Sequence, residues 1–468
     1  MSANAATARK TLGVFETVLY TVVATIGIRW LAVAAAVGPS ALPLWIFAFL
    51  VFYVPLAVAT GELTARYSGG GSIYAWTRGT LGPLSGFVCA WFYWTSLFPY
   101  LAGLVYFLSG LLLTIAGADA HNGWLYFAVS IALTVVTTAV QLFGLRLGKW
   151  LTNLGGAGSW LLFFLIAAPA VWLLIKGTVA TDFVHASYVP RLDFNTAILW
   201  GTMVFALCGT ETVAFLREDL RGGMRTVIRV LAWLGAAMVA IYTLGTAAML
   251  VILPQADLTR LSGLPDALTA AFHQVGFPAV AVFAIAFFAL SQFGGITAWL
   301  GIGARLPVEA GIDSFLPPIF AKKNPRTGAP VASILLQGAL CLLMVILSQT
   351  GSGAAAAYDF LVSMSVLTAT IPYVYVFVAY LARHRWPHVA DAWRPPGGPR
   401  TGIVLGVVGL ISTLVAIACT MVPSATDTQP LNTFLKIVIS TVVMLVVGLV
   451  LYWLAARRRS SVLMAQSP

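Results

Sequence analysis

Apolar positions in this chain do not alternate with polar ones. They run on for about twenty residues, pause at short polar connectors, and resume. Twelve such runs lie at about 12–37, 41–63, 83–114, 124–144, 150–175, 195–216, 227–253, 277–304, 330–349, 358–382, 401–422 and 433–455. Each is close to the roughly 20 residues a helix needs to cross the hydrocarbon core of a bilayer. Backbone N–H and C=O groups find no water there and must pair within their own segment, so each run predicts a spanning helix. The expected fold is an all-α polytopic membrane protein with twelve transmembrane helices in a single domain over residues 1–468.

Composition sharpens this. Hydrophobic residues make up 60% of the 468 and charged residues only 9%, against roughly 25% charged in a soluble domain. Mean hydropathy is +0.93, so the lipid bilayer is the expected solvent and partner. Met1–Lys10 is polar and the first apolar run is long enough to span, so no cleavable leader is expected. The net charge of +11 is spread over short connectors instead of one face or tail, which speaks against nucleic acid as a partner. Placing the N-terminus inside puts 21 Lys and Arg on the inner side and only Lys176, Arg191, Arg260 and Lys436 outside, with Arg29 inside a run. That asymmetry predicts a multi-pass protein of the cytoplasmic membrane with both termini cytoplasmic. Cys89, Cys208, Cys341 and Cys419 all lie in apolar runs without a CxxC, and the five histidines sit in connectors or near run ends. No metal, haem or other cofactor is expected.

The outer connectors read as plain links. Glycine and proline punctuate the inner ones, as in Gly69-Gly70-Gly71 and Arg394-Pro395-Pro396-Gly397-Gly398-Pro399. A longer repeat shows in the runs themselves. Run 1 opens Phe15-Glu16-Thr17 and is interrupted near Gly27, and run 6 opens Phe194-Asn195-Thr196 and is interrupted near Gly209. Five spans separate the interruptions, so the two helices should cross in opposite directions, the signature of an inverted repeat with broken first helices. Two unrelated glycines are the plainer alternative.

An ionised group at membrane depth is expensive and marks function by default. Glu16, Glu62 and Asp359 sit near run ends, close enough to an interface to reach water or headgroups; Arg29 and Glu211 lie deep, each two residues after a glycine. A glycine break frees backbone groups, tolerable in a membrane only where they line a cavity or meet a ligand. The freed N–H groups suit a carboxylate, and carbonyls or an acid suit an ammonium, so an α-amino acid matches both. Ile26, Gly27, Ile28 and Arg29, with Cys208, Gly209 and Thr210, are therefore candidate substrate contacts, and Arg29 and Glu211 candidates for coupling. A buried salt bridge that merely locks two helices is the bland alternative, and a pair that breaks during a cycle would serve both ends. Trp91, Tyr93, Trp94, Phe98 and Tyr100 crowd run 3, where packing or interfacial anchoring is the ordinary role of aromatics. Phe205 precedes Glu211 by six residues and is placed to cover a ligand.

At these residues the chain resembles the amino acid–polyamine–organocation (APC) superfamily, nearest to bacterial glutamate/GABA and arginine/agmatine antiporters. The resemblance rests on Gly61-Glu62-Leu63 leading to Gly70-Gly71-Ser72-Ile73-Tyr74-Ala75-Trp76 and Leu81-Gly82-Pro83, on Gly209-Thr210-Glu211, and on Phe315-Leu316-Pro317-Pro318 followed by Gly328-Ala329-Pro330. It implies a LeuT-like 5+5 inverted repeat plus two C-terminal helices, with helices 1 and 6 broken. The repeats would cover about 12–175 and 195–382, and the extra helices about 401–455. It further implies a midplane site in which Glu211 is the span-6 acid of gating and pH dependence. Phe205 would stand where one branch has a gating tryptophan, Cys208 would face substrate, and Trp299 would match a span-8 site tryptophan. The departure is Gly27-Ile28-Arg29 in place of Gly-Ser-Gly, which argues against a polyamine. If Arg29 points toward span 8, it would repel a sodium ion there by about 4 kcal/mol at ~4 Å, and transport would be sodium-independent.

The expected function is secondary transport of an amino acid or related amine by alternating access, as exchange or proton-linked uptake. No Walker-type loop is present and no covalent chemistry is expected. An organic-anion carrier is the alternative within transport. A polytopic membrane enzyme would need more deep titratable groups than Arg29 and Glu211, and a non-transporting sensor on the same fold is the third reading.

Overall fold

The computed structural model describes residues 13–67, 73–118, 122–142, 145–215, 217, 220–309, 312, 315–322, 324, 330–349, 353–389, 392–422 and 429–466. The Gly69-Gly70-Gly71 and Gly328-Ala329 motif residues lie outside them. The described residues are helical almost throughout. In order the helices are α1 (Val14–Thr25), α2 (Arg29–Ala35), α3 (Ala41–Arg66), α4 (Ile73–Leu81), α5 (Pro83–Ile115), α6 (Gly123–Leu142), α7 (Leu145–Lys176) and α8 (Phe194–Ala206). There follow α9 (Glu211–Phe215), α10 (Met224–Ile252), α11 (Gly263–Val275), α12 (Pro278–Glu309), α13 (Val331–Ser348), α14 (Ala354–Leu381), α15 (Gly398–Thr420) and α16 (Pro430–Gln466).

Among the described residues, ten helical segments are long and apolar enough to cross a membrane. Two apolar runs fall short of that measure. Run 12–37 is divided into α1 and α2, and α7 offers the shorter apolar stretch Leu161–Lys176. Burial separates the centre from the rim: 78% of the apolar window is buried in α5 and in α14, against 17% in α16. The polar residues that build a site must therefore be sought along α5 and α14.

Local chemistry sets the irregular points. Pro55 has no N–H to give the carbonyl one turn back, and the turn just before it, Phe49–Tyr53, widens to π-helical geometry. Asp193 caps α8 by accepting a hydrogen bond from the Thr196 amide at 2.8 Å. Close approach is bought with small residues, as membrane packing requires. A Cβ on Gly235 of α10 would stand 2.2 Å from the Tyr53 ring, whose hydroxyl donates to the Leu231 carbonyl at 2.7 Å.

Two expectations need correction. The connector after run 7 is not a plain link, because it folds as α11, with Leu264, Ala267, Leu268 and Ala271 buried on one face. Glu62 does not reach the membrane surface. It is fully buried, accepts from the Tyr380 hydroxyl at 2.9 Å and sits 3.7 Å from Arg66.

Candidate functional site

The chain leaves helical geometry between α1 and α2 at Ile26–Ile28, and again between α8 and α9 at Leu207–Thr210. The two breaks touch. Gly209 adopts φ +106°, and a Cβ there would meet the Thr25 side chain at 2.5 Å. Tyr242 of α10 joins them: the Gly27 amide donates to its hydroxyl at 3.2 Å, and that hydroxyl donates to the Ala206 carbonyl at 3.2 Å. The ring is held by stacking on Trp45 at 4.5 Å. One tyrosine thus satisfies a donor and an acceptor that an unbroken helix would have paired internally.

The halves run in opposite senses. α2 leads toward Gly38, which lies against Gln255, and α8 arrives from that same face, where Ala36, Asp193 and Gln255 share a surface pocket. α9 leads away to Arg217, whose Nη1 donates to the Thr64 and Tyr67 carbonyls on the opposite face.

Beside the breaks lies a cavity of about 110 Å³. Toward the Arg217 face it holds a carboxylate. Glu211 Oε1 accepts from the Tyr93 hydroxyl at 3.0 Å and the Tyr373 hydroxyl at 2.9 Å. Glu211 Oε2 is buried and has no hydrogen-bond partner. A buried oxygen left so is costly unless something donates to it. Toward the Gln255 face the cavity is bordered by rings. Trp30 meets Phe205 edge-on at 5.6 Å, Phe205 lies 5.8 Å from Tyr100, and Tyr100 meets Trp299 at 5.5 Å. The arrangement is a partly open, largely apolar space with one acid lining it among the described residues, shaped to take a small solute with a cationic or hydrogen-bond-donating end.

Of the residues singled out in the sequence, Phe205, Cys208, Gly209, Glu211 and Trp299 line this cavity. Ile26, Gly27, Ile28 and Arg29 do not, and Thr210 turns away to meet Thr60 at 3.0 Å. Among the described residues Arg29 and Glu211 do not form an ion pair. Arg29 is 2% exposed, and among the described residues it makes no ion pair and its Nε and Nη1 have no acceptor. Its guanidinium lies 4.1 Å from the Trp30 ring centre and 5.0 Å from that of Tyr100. The Tyr358 hydroxyl lies beside it. Both charges follow their breaks, but the helices are antiparallel, so the same offset carries them to opposite sides of the break plane. Arg29 is directed at α5, with Nη1 3.7 Å from where a Gly103 Cβ would sit, and not at α12. The sodium expectation loses its geometric basis.

The sequence missed Thr25, Trp30 and Tyr373 as cavity residues and read Tyr93 and Tyr100 as packing. Tyr93, Ser96, Leu97 and Tyr100 all line the cavity at i, i+3, i+4 and i+7, one face of α5. That signal is drowned because the run is apolar all round. Among the described residues no cluster of His, Cys, Asp and Glu fit for a metal occurs.

Comparison with known proteins agrees with this architecture. The amino acid permease family matches residues 12–454. An uncharacterized transporter of Legionella pneumophila is 26% identical, covering 98% of this chain and 99% of its own. A probable agmatine/putrescine antiporter of Lactococcus lactis is 23% identical over 89% of each chain. An aspartate/glutamate permease of the same species is 22% identical over 90% of each. In fold, a crystal structure of an Eremococcus coleocola manganese transporter superposes with a TM-score of 0.60 at 12% identity, covering 98% of this chain and 97% of that one. With ten membrane-length segments, a solute-sized cavity at two helix breaks and a family match across nearly its whole length, the chain belongs to the amino acid permease family of the APC superfamily: it is a multi-pass membrane protein and a secondary transporter of a small polar solute, not an enzyme.

Proposed function

We propose that the chain carries an amino acid or related amine across the cytoplasmic membrane by alternating access, as an exchanger or a proton-linked permease. It would do so as one domain of twelve spans. Inverted repeats at about 12–175 and 195–382 would form the core and the helices of 401–455 an appendage, with both termini cytoplasmic. The Gln255 face is then external and the Arg217 face internal.

The observation that carries the reading is Glu211, a buried carboxylate lining the cavity, steadied by two tyrosine hydroxyls and with its second oxygen unpartnered among the described residues. A solute ammonium brings three donors and a compensating charge to that oxygen. Cys208, Thr212 and Ser96 supply polar edges around it, and Phe205 and Trp299 supply apolar cover. Opening outward would part the ring contacts of Phe205. Opening inward would move α9 and release Arg217 from the Thr64 and Tyr67 carbonyls. Glu211 is the only acid lining the cavity among the described residues, which makes it the group to take up a proton in a proton-linked cycle.

The test is counterflow into proteoliposomes of the twenty amino acids, common amines and dicarboxylates, at two pH values with and without sodium. Exchange of at least one amino acid or amine is expected, and Glu211→Gln should lower it at least tenfold and flatten its pH dependence. A folded Glu211→Gln protein that exchanges the same solute at the wild-type rate and pH profile would remove Glu211 from the mechanism.

A further inference from the structure

The charge the mechanism above leaves unused is Arg29. A guanidinium taken out of water is expensive and is normally met by a carboxylate. Arg29 is as buried as the core around it and has no acid at ion-pair distance among the described residues. Its Nε and Nη1, three N–H groups between them, have no acceptor. Two aromatic rings lie against it, Trp30 at 4.1 Å and Tyr100 at 5.0 Å, with the Tyr358 hydroxyl alongside. Ring faces offset part of a buried cation's cost, yet they accept none of its in-plane hydrogen bonds. These same two rings line the central cavity, so they form the partition between the cavity and the guanidinium. The partition is hinged on one side chain: Phe205 packs on both Trp30 and Tyr100. Gly103 packs against the guanidinium without a side chain, its Cβ position 3.7 Å from Nη1.

We propose that Arg29 is the site for the carboxylate of the transported solute, reached from the central cavity when the Trp30 and Tyr100 rings part. The inference rests on the transport function proposed above and narrows its substrate class to solutes that carry both an ammonium and a carboxylate. The ammonium meets Glu211 toward the internal face, and the carboxylate meets Arg29 toward the external one. The separation of the two buried charges, which prevents them from pairing with each other, is what a zwitterion bridges. A decarboxylated amine satisfies Glu211 and leaves Arg29 bare. Since a hydrogen bond to a charged group contributes enough to shift an equilibrium roughly ten- to hundredfold, the amine should be disfavoured by about that factor.

The experiment is counterflow with matched pairs whose amine has no carboxylate: alanine and ethylamine, leucine and isopentylamine, lysine and cadaverine, arginine and agmatine. Wild-type protein is expected to exchange the amino acid of at least one pair at least tenfold faster than its amine. Arg29→Lys should keep the preference at a lower rate, and Arg29→Gln should bring the ratio near one. Equal exchange of the two members by wild type, or an unchanged ratio in a folded Arg29→Gln protein, overturns the carboxylate site and leaves the transport reading standing. Exchange of no amino acid and no amine overturns both. Should Arg29→Gln not fold, thermal unfolding of the wild-type protein with propionate, ethylammonium or chloride decides. A saturable rise in midpoint with propionate and not with chloride supports the site. An equal rise with chloride, or none with propionate, overturns it.

Discussion

Tyr242 shows how much of this site depends on a single hydroxyl. It accepts from Gly27 at one helix break and donates to Ala206 at the other, and nothing else among the described contacts satisfies those two groups. Tyr242→Phe keeps the stacking on Trp45 and removes only the oxygen. The variant should lose about 1–3 kcal/mol, the usual cost of stranding buried polar groups, measured as a lower unfolding midpoint in detergent. An unchanged midpoint would show that the breaks are held by packing alone. Tyr242 was invisible in the sequence, one aromatic in an apolar run. Glu211 and Arg29 were legible, since a charge deep in a spanning run is rare enough to stand out. Their relation to each other was not. Spacing from a glycine gives position along a helix, and only the opposed directions of the two helices show that they end on opposite sides.

Helices that break do so here for different reasons at the two sites, and substitutions should separate them. At Gly209 the backbone itself is in the left-handed half of conformational space, and a Cβ would also strike Thr25. At Gly27 the obstacle is the Trp30 indole, 2.5 Å from a Cβ, a side chain that can shift. Gly209→Ala should therefore cost about 1–3 kcal/mol through backbone strain. Adding Thr25→Ser, which removes the methyl in the way, should recover only part of it. Full recovery in the double variant, read from unfolding midpoints, would mean the clash and not the φ angle fixes the break. Where they are described, the apolar runs are helical, runs 1 and 6 in two pieces each, because a lipid-facing backbone has no alternative. The elements that were missed are those the membrane does not dictate. α11 is soluble-type amphipathic helix in a connector, and α4 follows a glycine run that reads as a loop. The π turn before Pro55 depends on how α3 packs, which no periodicity records.

Across the whole molecule, the bias of lysine and arginine between connectors gives each face its side of the membrane on the proposed reading. Ser187 on the Gln255 face and His388 on the opposite one are both exposed. In intact cells an impermeant maleimide should label Ser187→Cys and spare His388→Cys, which should react only after permeabilisation. The reverse pattern would invert the orientation and exchange the external and internal gates. The seam of rings has a consequence in time as well as in space. Trp30, Phe205, Tyr100 and Trp299 come from four separate helices and are joined by three contacts. At about 0.5–1.5 kcal/mol each beyond simple burial, the contacts together hold the closed arrangement over the open one by roughly ten- to two-thousand-fold. The external path of the proposed carrier therefore stands open for only a small fraction of each cycle. Its turnover is limited by how often four rings come apart together, however quickly solute arrives at the door.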